Sequence, residues 1–264
     1  KKILVIGGTG FLGFHLIKKC LSKGWVITSV STTKPKKNKR IKNVNYTLLD
    51  ITNYRMIDKK IKGGYDYVVN FGGYVNHNEK LKTYNSHYLG CKNLVNFFLK
   101  KNIKKFIQIG SSVEYGFKKS PQKESFLMNI KSLKSTYGKA KLLATKYLLY
   151  HYKVNNFPCI ILRPYLVYGP FQDFNRFIPL IIKGCLTNSK FPCSNGSQIR
   201  NFLYVDDFVD GVLKCLQSNI SGEIFNIGHS KSFKIKEIIM GINKMIKKGY
   251  PNFGKVKMRK DEIL

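Results

Sequence analysis

A short apolar segment that runs directly into a glycine-rich turn constrains the fold of this chain more than any other feature. The sequence begins KKILVIGGTGFLGFHLIKKCLSKG, in which an apolar strand is followed by closely spaced glycines and then by apolar residues at helical spacing. The turn fits G-x-x-G-x-x-G from Gly7 and G-x-G-x-x-G from Gly8. Glycines between a strand and a helix let backbone amides approach a pyrophosphate at the positive end of the helix. The sequence therefore predicts a dinucleotide-binding βα unit.

The chain continues with further apolar strands that alternate with helical segments. The predicted strands are WVITSVS, VNYTLLD, YDYVVNF, KKFIQIGS and FPCIILRP, and the predicted long helices cover 79 to about 101 and 135–153. Apolar strands alternating with helices indicate a parallel sheet covered on both faces. The predicted fold is α/β, a doubly wound parallel Rossmann sheet with a smaller C-terminal substrate-binding region.

The domain organisation follows from where this alternation weakens. After Pro164, Gly, Pro, Asn and aromatic residues become more frequent. We predict a dinucleotide-binding Rossmann domain over 1–165, rejoined by about 201–227, and a mainly substrate-binding region over 166–264.

The formal net charge of +33 on 264 residues is extreme. One explanation is an acidic partner, such as nucleic acid, an anionic membrane or a phosphorylated substrate. The other is a general preference for lysine, with the lysines spread over solvent-exposed surfaces. The lysines are dispersed apart from KPKKNKR at 34–40, and no nucleic-acid motif accompanies them, which favours the surface bias over a nucleic-acid partner.

No apolar run reaches the roughly 18 residues that span a bilayer, so no membrane association is expected. The six cysteines show no CxxC spacing, which favours reduced thiols in a cytoplasmic protein without a metal site.

Arginine is scarce in this lysine-rich chain. Lysine does not replace the planar guanidinium fork where two phosphate oxygens must be held together, so the arginines are candidates for phosphate binding. They are Arg40, Arg55, Arg163, Arg176, Arg200 and Arg259.

The spacing Tyr-x-x-x-Lys occurs three times, at Tyr88, Tyr115 and Tyr137, and with 16 tyrosines and many lysines it carries little weight alone. Tyr137 and Lys141 begin the helix that follows the strand ending at Ser111. Such strand ends are where open α/β sheets place their ligands. A cationic lysine one turn from a phenol lowers the tyrosine pKa, so this pair is predicted to be an acid–base group.

The end of the second strand bears on the cofactor. An NAD site usually has an acidic residue there to accept hydrogen bonds from the ribose hydroxyls. Here the sequence is ITSVSTTKPKK, which offers Ser31 and Lys34 but no acid. This favours NADP, with NAD as the alternative.

Taken together, the motifs resemble the extended short-chain dehydrogenase/reductase family, specifically its nucleotide-sugar epimerases, dehydratases and 4-ketoreductases. GGTGFLG, GSSVEYG, YGKAK, LRPYLVYGP, NGSQIRNFLYVDD and IFNIG occur in the family's order over essentially the whole chain. The resemblance implies a cytoplasmic homodimer that acts on a nucleoside-diphosphate sugar in polysaccharide biosynthesis.

The resemblance also implies roles for individual residues. Ser111 is the hydroxyl that orients the substrate carbonyl, Tyr137 is the catalytic acid–base, and Lys141 holds the nicotinamide ribose. The implied cofactor-binding residues are Gly7, Gly10, Phe11, Leu12, Gly13, Ser31, Lys34, Asp50, Ile51, Tyr137 and Lys141. The implied substrate-binding residues are Ser111, Ser112, Arg176 and Arg200.

Several positions depart from the family pattern. Ser112 and Val113 stand where the 4,6-dehydratases usually carry Asp-Glu, so dehydration lacks its acid and base. His87, with Asn85 nearby, occupies the place of a helix asparagine, and Leu166 that of an asparagine that touches substrate in many members. The family's usual C-terminal segment is expected to be missing after Leu264.

The functional hypothesis is an NAD(P)-dependent enzyme that transfers hydride at C4 of a nucleoside-diphosphate sugar, with Tyr137 moving the proton. A 4-ketoreductase is favoured because the second strand lacks an acid, and an NAD-dependent 4-epimerase is the alternative. A non-catalytic RNA-binding member of the fold is a third hypothesis, against which the intact Ser111, Tyr137 and Lys141 count.

Overall fold

A seven-stranded parallel sheet forms the centre of the larger of two units. The computed structural model describes residues 1–257. Their contacts divide the chain into unit 1, Lys1–Pro164 with Asp206–Ile227, and unit 2, Tyr165–Val205 with the chain from Gly228 onward.

Unit 1 is a doubly wound α/β structure, as the sequence predicts. Its strands are β1 (Lys2–Ile6), β2 (Val26–Ser31), β3 (Val44–Leu48), β4 (Tyr67–Asn70), β5 (Lys105–Ile109), β6 (Cys159–Pro164) and β11 (Glu223–Ile227). Its helices are α1 (Phe11–Ser22), α2 (Tyr54–Lys60), α3 (Lys80–Tyr84), α4 (Gly90–Phe98), α5 (Thr136–Asn155) and α7 (Val205–Gln217). The strand order is β11-β6-β5-β4-β1-β2-β3, and every neighbouring pair is parallel.

The core of unit 1 lies on the central strands. Leu4, Val68, Phe106 and Ile161, from four adjacent strands, are completely buried in one apolar cluster. Strands of a parallel sheet are covered on both faces, which explains why these segments are almost continuously apolar. The strands end together at their carboxyl edge, where the glycine turn and Ser111 follow β1 and β5.

The helix predicted from residue 79 to about 101 is interrupted. A π-helical turn at Asn85–Leu89 separates α3 from α4, and α4 ends at Phe98. A π turn holds one residue more than an α turn and changes the direction of the side chains that follow. The His87 imidazole lies within this turn and is buried.

Up to residue 257, unit 2 contains two helices and three small two-stranded sheets. Its elements are β7 (Leu166–Tyr168), α6 (Phe177–Leu186), β8 (Lys190–Pro192), β9 (Ile199–Arg200), β10 (Phe202–Tyr204), β12 (Phe233–Lys234), α8 (Ile235–Ile246) and β13 (Tyr250–Asn252). Its core packs α6 against α8 through Ile181, Cys185, Ile239 and Ile242. A substrate-binding role for this region stays a prediction, and residues 258–264 of the predicted region lie outside the described chain.

Candidate active site

The glycine turn between β1 and α1 has no room for larger side chains. Gly7 adopts φ +75°, a left-handed conformation that favours glycine. A Cβ atom at Gly13 would lie 2.5 Å from the carbonyl oxygen of Gly7, so a side chain there would separate the helix from the turn. Gly10 precedes the helix and provides no side-chain cap. The first amides of α1, which begins at Phe11 and Leu12, therefore suit an anionic ligand, and the turn fits the pyrophosphate of a dinucleotide.

Two predicted cofactor residues lie at and beyond the end of β2. The Ser31 hydroxyl accepts a hydrogen bond from the amide of Thr9 at 3.2 Å and donates one to the carbonyl oxygen of Val30 at 2.8 Å. Lys34 is exposed. Ser31 thus ties the glycine turn to β2, and its position carries no negative charge.

Asp50 and Ile51 follow β3 with opposite exposure. Asp50 is exposed and accepts a hydrogen bond from the amide of Thr52, whereas Ile51 is buried. Cβ atoms at Gly72 and Gly90 would approach the Ile51 side chain to 3.0 and 2.7 Å. The two glycines therefore leave the space that the Ile51 side chain fills.

The structure brings Tyr137 and Lys141 together at the end of β5. Both lie in the first two turns of α5, and the Lys141 ammonium is 5.8 Å from the centre of the Tyr137 ring. Lys141 Nζ donates a hydrogen bond of 2.6 Å to the carbonyl oxygen of Ile109, the last residue of β5. Ser111 follows two residues later, is buried, and accepts a bond from the amide of Val113.

Burial decides the electrostatics of Lys141. It lowers the pKa of the ammonium from 10.5 to about 8, while the charge of Glu114 acts in the opposite direction. The Lys141 ammonium is therefore cationic at neutral pH and loses its proton at slightly alkaline pH. A cation in this place favours the phenolate form of Tyr137, as an acid–base tyrosine requires.

Two histidines flank the Tyr137 ring. His77 stacks on it, with ring centres 4.1 Å apart and planes 13° apart, and His87 meets it edge-on at 4.9 Å. The Nε2 atom of His87 lies 3.2 Å from the Tyr74 carbonyl oxygen, which fixes the proton on that nitrogen. Burial lowers the pKa of His87 to about 2, so its imidazole is neutral. His77 was not predicted from the sequence, because it lies in a loop without periodic pattern.

The turn that follows Ser111 contains an acidic residue, Glu114, that was not among the residues predicted from the sequence. Glu114 is completely buried and accepts bonds of 3.0 and 2.9 Å from Nε and Nη2 of Arg163 in β6. A glutamate in the turn and an arginine inside an apolar strand were the available signals, because buried charges require partners. Arg163, one of the six arginines named as candidates for phosphate binding, instead forms a buried ion pair. The nearby Tyr115 hydroxyl donates to Asn226.

The predicted substrate-binding residues Arg176 and Arg200 both belong to unit 2. Arg200 lies in β9, opposite Phe233 of β12, and its Nη1 donates to the carbonyl oxygen of Ile199. Arg176 is exposed and immediately precedes α6, and Leu166 is exposed at the start of β7. Phosphate binding by either arginine stays a prediction.

The fold and the arrangement around Tyr137 define an α/β enzyme of the short-chain dehydrogenase/reductase type. Residues 3–228 match the model of the NAD dependent epimerase/dehydratase family, and the chain belongs to this family.

Similar proteins carry names from nucleotide-sugar chemistry. Human dTDP-D-glucose 4,6-dehydratase is 27% identical over 265 residues, covering 94% of this chain and 74% of that protein. CDP-abequose synthase of Salmonella muenchen is 27% identical over 272 residues, covering 100% and 87%. The structure of UDP-glucuronic acid 4-epimerase from Bacillus cereus, in complex with UDP-glucuronic acid and NAD, is 25% identical with a TM-score of 0.83, covering 97% and 86%.

Within residues 1–257, no helix is both long and apolar enough to cross a membrane. The same residues contain no group of three or more His, Cys, Asp or Glu side chains arranged to hold a metal ion.

Proposed function

We propose that this chain is an NADP-dependent 4-ketoreductase of a nucleoside-diphosphate sugar. The related proteins named for dTDP-, CDP- and UDP-sugars support this substrate class. The proposed substrate is a 4-keto-6-deoxy sugar, and its product carries a hydroxyl group at C4. The predicted homodimer and cytoplasmic location stay predictions.

The state of Glu114 is the observation that argues against dehydration and for proton transfer at a carbonyl group. Ser112 and Val113 occupy the places where the dehydratases usually carry an acid and a base, which leaves Glu114 as the acidic residue of this turn. Its carboxylate is completely buried and bonded to Arg163. A carboxylate held in this way is unavailable for removing water from a sugar, whereas the Tyr137–Lys141 pair suits proton transfer at a carbonyl oxygen.

The proposed reaction needs one hydride and one proton at the C4 carbonyl. NADPH, when bound, supplies the hydride. Tyr137 donates its phenolic proton to the C4 oxygen as the carbonyl becomes a hydroxyl, and the Lys141 cation stabilises the resulting phenolate. The Ser111 hydroxyl orients the carbonyl, and a proton from solvent restores the tyrosine.

The cofactor choice rests on the end of β2. Ser31 presents a neutral hydroxyl where NAD sites usually present a carboxylate, and Lys34 adds a positive charge nearby. Both features favour a ribose 2′-phosphate. In unit 2, Arg200 and Arg176 are the proposed ligands of the substrate diphosphate.

The alternative is an NAD-dependent 4-epimerase, in which the cofactor stays bound and the hydride returns to the other face of the keto sugar. It would use the same Ser111, Tyr137 and Lys141. The complex of the Bacillus cereus 4-epimerase with NAD supports this alternative.

The first test is a titration of the purified protein with NADPH and NADH, followed by nicotinamide fluorescence after any retained cofactor has been removed. We expect NADPH to bind at least about tenfold more tightly, a difference of about 1.4 kcal/mol. Ser31→Asp should reverse this preference, because a carboxylate repels the 2′-phosphate, and Lys34→Gln should weaken NADPH binding alone. Tighter binding of NADH would contradict the NADP proposal and favour the epimerase. Failure to bind either would argue against the enzyme, and a steeply salt-dependent affinity for RNA would then support the RNA-binding hypothesis.

The second test is turnover with a 4-keto-6-deoxy nucleoside-diphosphate sugar. We expect stoichiometric oxidation of NADPH by the wild-type protein, and none by Tyr137→Phe, which lacks the phenolic proton that the reaction requires. Interconversion of two 4-hydroxy sugar nucleotides without net NADPH oxidation would establish the epimerase instead.

A further inference from the structure

Glu114 contacts three parts of unit 1, and two of them carry the proposed catalytic residues. One carboxylate oxygen, Oε1, accepts a bond of 2.9 Å from the Ser111 amide. The other, Oε2, accepts bonds from Thr145 Oγ1 at 2.8 Å and from Arg163 Nε and Nη2. The turn after β5, helix α5 and strand β6 are therefore joined through one side chain.

The turn around Ser111 is held from two sides by the same face of α5. Lys141 and Thr145 are one helical turn apart, with Tyr137 one turn before them. Lys141 donates to the carbonyl oxygen of Ile109, and Thr145 donates to the carboxylate that holds the Ser111 amide. The position of the Ser111 turn relative to the Tyr137–Lys141 face thus depends on Glu114.

The Glu114 carboxylate lies so close to the backbone that residue 110 has no room for a side chain. A Cβ atom at Gly110 would lie 2.5 Å from Glu114 Oε1. Glycine at this position lets the carboxylate approach the backbone between Ile109 and Ser111.

Glu114 also affects the charge of Lys141. Burial is the largest influence on the Lys141 ammonium and lowers its pKa, and the negative charge of Glu114 is the next largest and raises it. The nearby Cys91 thiol is neutral, because burial raises its pKa to about 12. Glu114 is therefore the charged group that favours the cationic form of Lys141, and its hydrogen bond from Thr145, one helical turn after Lys141, places its carboxylate beside the same face of α5.

We propose that Glu114 is a positioning residue for proton transfer: it holds the Ser111 turn against the Lys141–Thr145 face of α5 and supplies the negative charge that balances Lys141. This inference rests on the proposed function, in which Ser111, Tyr137 and Lys141 act on one carbonyl group. Glu114 acts through Ser111 and Lys141 and does not touch the substrate.

The first experiment follows the Lys141 side chain by NMR on lysine labelled with 13C at Cε, in which its resonance is assigned by its loss in Lys141→Met. Glu114 raises the pKa of Lys141, so Glu114→Gln should lower the midpoint of the Lys141 titration by about one pH unit. Thr145→Val removes one hydrogen bond and keeps every charge, so its midpoint should stay at the wild-type value. An unchanged or raised midpoint in Glu114→Gln would overturn the inference.

Loss of folding is the main risk, because Glu114→Gln leaves Arg163 buried without its ion pair. The double variant Glu114→Gln/Arg163→Met removes both charges and should restore folding. Because Arg163→Met also removes a cation next to Glu114, the matched reference for the double variant is Arg163→Met alone. We expect the Lys141 midpoint to be lower in the double variant than in this reference. Equal midpoints in the two variants would show that Glu114 is a structural residue only.

Turnover gives the second readout. In the double variant, kcat for NADPH oxidation should fall by about tenfold or more, and its alkaline limit should move to lower pH, because Lys141 loses its proton earlier. If the double variant kept the kcat and the alkaline limit of the wild-type protein, the inference would be overturned. The NMR titration needs no substrate, so a lowered midpoint together with an inactive wild-type protein would refute the proposed function and leave the effect of Glu114 on Lys141 established.

Discussion

Gly73 and His87 occupy adjoining space beside Tyr137, and the size of each limits the other. A Cβ atom at Gly73 would lie 1.8 Å from His87 Cε1 and 2.2 Å from its Nδ1. The imidazole is fixed on its other side by the Tyr74 carbonyl oxygen and packs edge-on against Tyr137. The resemblance places a smaller asparagine at position 87. The larger histidine found here fits only because position 73 has no side chain.

The substitution Gly73→Ala should destabilise the protein by about 1–3 kcal/mol, because the methyl group must displace a buried ring. Gly73→Ala/His87→Asn should lose at least about 1 kcal/mol less than the sum of the two single variants, because the smaller asparagine leaves room for the methyl group. Urea unfolding measures all three free energies. Gly63→Ala is the control, since its Cβ would meet only Lys101 Cδ at 3.7 Å. Strict additivity would show that the two positions do not compete for space.

At the scale of the elements, the sequence was informative wherever the signal is local. The apolar runs of β1 and β5 and the glycines of the first turn identify a Rossmann sheet because they depend on near neighbours in the chain. Contacts between distant residues were not predictable. Arg163 and Glu114 are 49 residues apart, and only their packing in unit 1 shows that this arginine faces inward. The π turn was missed for the same reason, since His87 packs against a loop.

At two glycines an added side chain would meet no other atoms, so their substitution tests the effect of backbone conformation without an effect of packing. Gly241 lies inside α8, and Gly24 follows the end of α1 with φ +72°; a Cβ atom at either would meet nothing within 4 Å. Gly241→Ala should raise the free energy of unfolding by about 0.5–1 kcal/mol, because alanine restricts the unfolded chain and favours helix. Gly24→Ala should lower it by about 1–2 kcal/mol, because its backbone is left-handed. Thermal unfolding compares the two, and shifts of the same sign would contradict the argument.

At the scale of the whole molecule, the net charge of +33 acts against folding. With 47 Lys and Arg against 14 Asp and Glu, the chain has too few acidic residues to pair one to one with most of its cations. Pairs such as Lys19 with Asp210 and Lys104 with Asp66 use several of the available acids. Like charges held on a folded surface repel more strongly than the same charges on an expanded chain. Dissolved salt screens this repulsion over a Debye length of about 8 Å at 0.15 M.

Sodium chloride should therefore raise the unfolding temperature, by several degrees between about 0.02 and 0.3 M, since 1 kcal/mol corresponds to about 2–4 °C in a chain of this size. Exposed lysines at 36, 37 and 42 provide the matched variant Lys36→Gln/Lys37→Gln/Lys42→Gln, which leaves Lys34 in place. With less repulsion to screen, this variant should be more stable at low salt and respond less to added salt. Sucrose at equal osmolality is the control for effects on hydration, and it should stabilise both proteins equally. A fall in the wild-type unfolding temperature with salt would show that attractive ion pairs outweigh the surface repulsion.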